Sequence, residues 1–373
     1  MLNPDPAPLV LLVSNTDWSI ANFRGGLIRR LQAEGYRVAA VAPDSRQGIR
    51  LPCELIPITS ERQAVSPLRD LRLLLRLVRL FRARRPFAVL TFTPKPNIYG
   101  VLAARCSGAK VISNVSGLGS GFLGGSLLMR IMHALYRYAD RRADRVFFQN
   151  ADDLAYFGEH RLVDPGKAVL VPGSGVDLAR FRPESREPGK RLVFLLIARL
   201  LRDKGILEYV EAARLVRRRH AEVRFQVLGQ LDPANPSAIA ERELQAWIDE
   251  GTIEHLGWRD DVRPSIAAAD CVVLPSYREG TPRTLLEAAA MARPVIASDV
   301  PGCRQVVEHG RTGYLCRARD PQDLAEKMIQ MIGLPPAERL RQGTEGRRKM
   351  EREFDETLVI GRYLQALQEL RSS

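Results

Sequence analysis

The chain has 373 residues, 45% of them hydrophobic and 27% charged, which suits a soluble globular protein with room for two domains of ordinary size. Five scattered cysteines (Cys53, Cys106, Cys271, Cys303, Cys316) form no C-x-x-C pair, so neither a zinc site nor a disulfide framework is expected and a reducing compartment is favoured. The formal net charge is +13, and it is uneven: residues 1–185 hold 26 Lys and Arg against 15 Asp and Glu, the remainder 30 against 28.

At the start, MLNPDPAPLVLLVSN has no basic region ahead of its short apolar run. Leu9–Val13 therefore reads as a first strand and not as a signal peptide. No run of about 18 apolar residues follows anywhere, so no spanning helix is expected. Asn22-Phe-Arg24-Gly25-Gly26 reads as the opening of a helix with apolar residues at Leu27, Ile28 and Leu31, and Tyr36–Ala42 reads as the next strand. This strand–helix–strand unit belongs to a parallel α/β sheet. Gly25 and Gly26 would let backbone approach a ligand at a helix start, or would simply make a tight turn.

Leu68–Arg85 (LRDLRLLLRLVRLFRARR) alternates leucine and arginine on a helical period. Such an element either lies on an anionic bilayer or crosses a core with its arginines snorkelling outward. Phe87–Phe92 is expected as a strand, with the loop Thr93-Pro-Lys95-Pro-Asn97 at its carboxyl end and a helix from Tyr99 to Ser107. Lys110–Val115 is another strand, followed by Ser116-Gly117-Leu-Gly119-Ser-Gly121-Phe-Leu-Gly124. Gly119, Gly121 and Gly124 match G-x-G-x-x-G between a strand and a helix, the context of a dinucleotide fingerprint. The strand Arg145–Gln149 does not end in the acid that a nicotinamide site needs, although Asp152 or Asp153 stands close by. A glycine-rich loop lining a cleft is the other reading.

The polar, proline-bearing stretch Pro183–Pro188 marks a domain boundary. A second α/β half then begins. Leu192–Ala198 reads as a strand ending at Arg199, and Asp203-Lys204-Gly205 opens a helix. Arg199 and Lys204 thus stand at a strand's carboxyl end, where open α/β sheets bind ligands, and two cations there suit a diphosphate. Further strands are expected at Val223–Leu228, Ile253–Leu256 and Val295–Ser298, and the second is followed by Gly257 and Trp258.

The richest stretch is Ser276–Ala290. It follows the buried-strand run Cys271–Pro275 and turns through Glu279 and Gly280 into a helix. Thr281 is placed to cap that helix, with Pro282 in its first position. The amides of Arg283 and Thr284 then face outward at a positive helix end, a seat for an anion such as a diphosphate. Glu287 lies roughly 7 Å further along the axis at about 1.5 Å per residue. Two carboxylates would bracket the anion, an arrangement that matches a sugar nucleotide; a plain surface helix with acids near its start has the same composition.

Taken together these pieces resemble the family 4 retaining glycosyltransferases. The most specific match is Glu279-Gly-Thr-Pro-Arg-Thr-Leu-Leu-Glu287, which is similar to that family's E-x7-E motif. Ala198-Arg199 with Lys204-Gly205, Gly173-Ser-Gly-Val-Asp177, and Gly257-Trp-Arg-Asp-Asp-Val262 support it, in order along the chain. Thr93-Pro-Lys-Pro-Asn-Ile-Tyr-Gly100 and Ser116-Gly-Leu-Gly119 are most similar to bacterial enzymes that build lipopolysaccharide, capsule or lipid-linked oligosaccharide.

The resemblance implies a GT-B fold: two Rossmann-like parallel-sheet α/β domains facing a central cleft. Residues 1–185 would bind the acceptor, 186–355 would bind the nucleotide sugar, and a last helix at about 356–373 would pack back on the first domain. It implies that Arg199 and Lys204 bind the diphosphate, helped by the amides after Gly280, that Glu279 orients the transferred sugar, and that Glu287 holds the ribose. The backbone at Gly257 and Trp258 would meet the base. Arg24, Gly25, Gly26, Lys95, Asn97, Ser116, Gly117 and Gly119 are candidates for the acceptor side. Two departures touch the donor: Ser116 stands where many members have histidine, and Ser174 where they have asparagine.

The expected enzyme is a hexosyltransferase moving a sugar with retention from a UDP-linked donor, a 2-acetamido sugar among the options. No metal or other cofactor is expected, because no D-x-D stands at a strand end. The acceptor would be a lipid-diphosphate-linked saccharide or a lipid A–core saccharide at the cytoplasmic face of the inner membrane, held by the basic first half. A nucleic-acid partner is not expected, since the interleaved aromatics of such surfaces are missing. A sugar-nucleotide epimerase or hydrolase of the same fold, and a nicotinamide dehydrogenase, are the alternatives.

Overall fold

The computed structural model describes residues 7–45, 48–58, 66–118, 126–184 and 191–372. Gly119, Gly121, Gly124 and the 185–188 part of the proline-bearing stretch lie outside them. The chain forms two compact units: residues up to Ser174 together with those from Glu356 onward, and Gly175–Asp355. The changeover therefore lies ahead of Pro183, and the last helix belongs to the first unit.

The first unit is built on seven strands: β1 (Leu9–Val13), β2 (Arg37–Ala42), β3 (Glu54–Pro57), β4 (Ala88–Phe92), β5 (Lys110–Val115), β6 (Arg145–Phe148) and β7 (Ala168–Leu170). They pair in parallel in the order β3-β2-β1-β4-β5-β6-β7. Parallel strands need crossovers, and the intervening helices cover both faces. Alternate residues of β1 serve the two faces: Leu9, Leu11 and Val13 enter one core, and Val10 and Leu12 enter the other.

The helix Glu356–Ser372 closes the second of these cores. It buries Val359, Tyr363, Ala366, Leu367 and Leu370, a helical stripe. The Tyr363 hydroxyl donates to Asn114 Oδ1 at the far end of β5, and Arg145 meets Glu369 at 3.0 Å.

The second unit holds six strands: β8 (Val193–Ile197), β9 (Arg224–Leu228), β10 (Glu254–His255), β11 (Cys271–Leu274), β12 (Val295–Ser298) and β13 (Gly313–Cys316). All pair in parallel, in the order β10-β9-β8-β11-β12-β13. From β8 the chain winds first toward β10, then returns to β11 and winds the other way. The order thus reverses between β8 and β11. Outside the carboxyl ends of those two strands is where an open α/β sheet leaves a ligand crevice.

The structure changes three sequence-level expectations of local form. Gly25 and Gly26 do not open a helix: the helix runs Asp17–Ala33, capped by the Thr16 side chain on Ser19 N–H at 3.0 Å. Gly26 is a contact glycine, because a Cβ there would lie 2.5 Å from Glu356 Oε1. Pro282 is the cap residue of the helix Arg283–Ala290 and not its first residue, so no side chain caps that end. Finally, helical structure begins at Pro96 in a single π turn, Pro96–Gly100, ahead of the helix Val101–Ser107, so Asn97 is not in the loop.

Candidate active site in the second unit

β8 and β11 are completely apolar and almost wholly buried, so their ends are fixed points. From β11 the chain passes Pro275 to Ser276–Gly280. Tyr277 N–H donates to the Asp203 carbonyl at 2.9 Å, and its hydroxyl donates to Glu208 Oε1 at 2.7 Å. These bonds bring the segment after β11 against the segment after β8. Gly205 makes the approach possible: at φ +75° a Cβ would sit 2.0 Å from the Pro275 carbonyl oxygen. Beneath the turn, Gly302 at φ +81° would place a Cβ 2.1 Å from the Gly280 carbonyl oxygen. Only glycine fits either position without moving backbone.

This close packing sets Lys204 Nζ 2.5 Å from Glu279 Oε1, with the two side chains 23% and 12% exposed. One cation and one carboxylate therefore share a semi-enclosed place at the carboxyl ends of β8 and β11. The helix Arg283–Ala290 starts three residues after Gly280. Its innermost bonds run from Leu285 and Leu286 N–H to the Pro282 carbonyl, at 3.1 and 3.3 Å. The amides of Arg283 and Thr284 are thus at the open, positive end. Thr284 Oγ donates to the Ile197 carbonyl at 3.0 Å and ties this end to β8.

Glu287 faces Arg283 one turn earlier, at 3.1 Å, and both side chains are 14% exposed. Arg283 also donates to the Gly175 carbonyl at 2.7 Å. Burial raises the Glu287 carboxyl above the ordinary glutamate range, and Arg283 and then Arg180 oppose that shift. Arg283 was expected to contribute its amide; its side chain proves to be the partner of Glu287. Glu279 and Glu287 thus lie on the two sides of one helix start, each beside a cation.

Arg199 is more open, 51% exposed, and meets Asp232 at 2.9 Å. Asp232 belongs to the loop after β9, which is strapped to the Arg199–Lys204 segment: Arg202 N–H donates to the Ser237 carbonyl at 2.7 Å and Asp203 N–H to Ser237 Oγ at 3.1 Å. At the neighbouring strand ends, Gly229 N–H donates to the Gly257 carbonyl at 2.8 Å, and His255 Nε2 bonds the Gly229 carbonyl at 2.8 Å. Gly257 adopts φ +71°, and Trp258 stands 46% exposed beside it.

Sequence reasoning did not find Tyr277, Glu208, Asp232, Gly229 or Gly302 as parts of this site. Tyr277 lay inside the highlighted stretch and Pro301-Gly302 carried a turn signal, whereas nothing local marks Asp232. Among the described residues, no group of three or more His, Cys, Asp or Glu could hold a metal ion.

The candidates of the first unit are placed differently. Arg24 is buried, its guanidinium 4.2 Å from the centroid of the Phe92 ring. Gly25 lies on the same helix, with only Arg29 near a notional Cβ. Lys95 meets Asp70 at 2.8 Å, and Asn97 is turned into the interior, donating to the Asn114 carbonyl at 2.7 Å. Ser116 is half-buried just beyond β5, and Gly117 follows at φ +120°. Asp153, an acid weighed for a nicotinamide site, is buried in the cap of its own helix: its N–H donates to Asn150 Oδ1 at 2.7 Å.

Two family models match this chain. The one described as glycosyl transferases group 1 covers residues 191–333, and the one described as glycosyl transferase 4-like domain covers residues 20–173. The chain belongs to the family 4 glycosyltransferases, with the two parallel-sheet α/β domains of the GT-B fold.

Among curated proteins it is 26% identical to the Campylobacter jejuni N,N'-diacetylbacillosaminyl-diphospho-undecaprenol alpha-1,3-N-acetylgalactosaminyltransferase, over 94% of this chain and 96% of that one. It is 25% identical to the Escherichia coli UDP-Gal:alpha-D-GlcNAc-diphosphoundecaprenol alpha-1,3-galactosyltransferase, over 72% of each. Among solved structures, sucrose-phosphate synthase from Thermosynechococcus elongatus superposes with a TM-score of 0.83 at 20% identity, covering 98% of this chain and 99% of that one. Anabaena HepE in complex with UDP-glucose gives 0.77 at 18%, covering 98% and 100%.

Proposed function

We propose that this glycosyltransferase moves a sugar, with retention, from a UDP-linked donor to a lipid-diphosphate-linked saccharide during synthesis of a bacterial surface polysaccharide, and needs no metal ion. The observation that carries this reading is the Lys204–Glu279 pair at the point where the strand order reverses, next to the open end of the Glu287 helix.

The chemical problem is the departure of a nucleoside diphosphate. Negative charge grows on the phosphate oxygen as the anomeric C–O bond breaks, and preorganised donors stabilise it best. Lys204, Arg199 and the amides at the helix start supply that stabilisation. Glu279, next to Lys204, orients the sugar's hydroxyls, and Glu287 accepts from the ribose. The acceptor hydroxyl attacks from the face the diphosphate leaves, and the departing phosphate oxygen takes its proton. Trp258 and the Gly257 backbone border the base.

The donor and acceptor classes rest on the named relatives: one bears UDP-Gal in its name, one transfers N-acetylgalactosamine, and both name diphospho-undecaprenol acceptors. A 2-acetamido sugar is the donor we favour. A lipid-linked acceptor places the work at the cytoplasmic face of the inner membrane, and the basic excess of residues 1–185 supports electrostatic attachment there.

The test is thermal stabilisation by a panel of UDP-, GDP- and ADP-sugars, followed by transfer to a polyprenyl-diphosphate sugar with and without EDTA. The reading expects a UDP-sugar to stabilise and a product one sugar longer in both buffers. Isomerised or hydrolysed donor with no lengthened acceptor would favour the epimerase or hydrolase alternative.

A further inference from the structure

The helices Pro67–Arg84 and Ser126–Asp140 cover the same face of the first sheet. Leu73, Leu77 and Phe81 of one, and Tyr136 and Ala139 of the other, enter a single core, and both helices touch the helical segment 96–107. With these faces satisfied, each helix still exposes large apolar side chains. Leu68, Leu71 and Leu75 are 71%, 51% and 46% exposed at helical spacing, and Leu127, Ile131 and Tyr138 are 69%, 44% and 52%. Of the eleven exposed large hydrophobics among the described residues, six stand on these two helices.

The charges are sorted as sharply. Each helix has one acid, Asp70 and Asp140, and both are turned inward, 6% and 0% exposed. Arg72, Arg76 and Arg79 on the first helix and Arg130 on the second are exposed. The outward faces therefore combine leucine with cations and carry no negative side chain. We propose that these two faces form one docking surface for an anionic bilayer, the apolar side chains entering the boundary between headgroups and acyl chains while the arginines meet lipid phosphates. Single leucines spaced between cations over several turns suit a fluid surface of uniform charge; a shaped protein partner is normally met by a central aromatic anchor.

The inference rests on the lipid-linked acceptor of the preceding section, and its test separates the two. Cosedimentation is measured with phosphatidylcholine vesicles and with vesicles containing phosphatidylglycerol. Wild type is expected to bind the anionic vesicles and hardly the neutral ones. Arg72→Gln/Arg76→Gln/Arg79→Gln should weaken binding by roughly a hundredfold, at about fivefold per cation. Leu71→Ser/Leu75→Ser/Leu127→Ser should weaken it at unchanged charge. Both variants should keep wild-type transfer to a short-chain, water-soluble acceptor and lose transfer to a vesicle-embedded one. Absence of transfer to the soluble acceptor in wild type would count against the enzymatic reading alone. Equal partitioning of wild type between the two vesicle types, or arginine variants that bind like wild type, would overturn the docking surface. Should the leucine variant fail to fold, the arginine variant, altered only at exposed side chains, decides.

Discussion

The Lys204 ammonium and the Glu279 carboxylate meet at 2.5 Å although 75 residues separate them in the chain. The contact exists because Gly205 lets the segment after β8 press against Pro275 at the end of β11. If the pair works as proposed, the two residues fail differently. Lys204→Ala should lower kcat by roughly a hundred- to a thousandfold, the usual cost of losing one preorganised donor. Glu279→Gln should leave UDP affinity within about threefold and lower kcat about a hundredfold, through misplacement of the sugar. Steady-state kinetics with direct measurement of UDP binding checks both.

Glu287 should behave as a nucleotide-binding residue with a visible pH signature. Burial lifts its carboxyl above the ordinary value. The protonated group accepts hydrogen bonds from a ribose less well than the carboxylate does. UDP affinity should therefore rise as pH climbs from 4.5 through the raised value and then level off. Glu287→Gln should flatten that rise, and Glu287→Ala should weaken binding about ten- to a hundredfold. Calorimetric titration across pH distinguishes these outcomes from a loss of folding.

Gly302 supports the Glu279–Gly280 turn from below, where a Cβ would lie 2.1 Å from backbone oxygen. Gly302→Ala should destabilise the second unit by about 1–3 kcal/mol, the cost of overpacking a fixed backbone, and should lower activity further by displacing Glu279. Gly310→Ala is a fair control, because that glycine also has positive φ, +78°, yet nothing lies within 4 Å of a Cβ. Thermal denaturation and transfer rate, measured together on both variants, test this.

Asp140 lies wholly inside the first unit, and burial pushes its carboxyl up to about 8, with the Ser113 hydroxyl opposing the shift. The folded state therefore holds a proton that the unfolded chain releases near the ordinary value of 3.8. The sign follows: this group's stabilising contribution is complete at low pH, declines as pH rises above the unfolded value, and is gone above about 8. Asp140→Asn should match wild type near pH 5 and melt at a higher temperature than wild type at pH 9. Parallel melting profiles across that range would contradict the assignment.

The central strands were legible because each is a short apolar run bounded by turn residues, as in Leu9–Val13 and Cys271–Leu274. Two edge strands were not: Glu54–Pro57 and Gly313–Cys316 are four residues long and only partly buried, so they lack the apolar signal. The cluster around Glu279 was readable because one contiguous stretch carries the loop, the helix start and both acids. Its partners come from elsewhere. Asp232 reaches Arg199 from another loop, and the reason for Gly26 is Glu356, at the other end of the sequence. Glycine is costly inside a helix, so two in a row look like a terminus until the packed structure supplies the contact that requires one of them.

The most direct test of the account follows one labelled sugar. Wild type and Glu279→Gln are incubated with a radiolabelled UDP-2-acetamido sugar and a polyprenyl-diphosphate saccharide in EDTA, and the label and anomeric configuration of the lipid product are determined. The account predicts label in the lipid, joined in the donor's own α configuration, and about a hundredfold less of it with Glu279→Gln. Label appearing only in free or isomerised sugar, a β-linked product, or equal rates for the two proteins would contradict it.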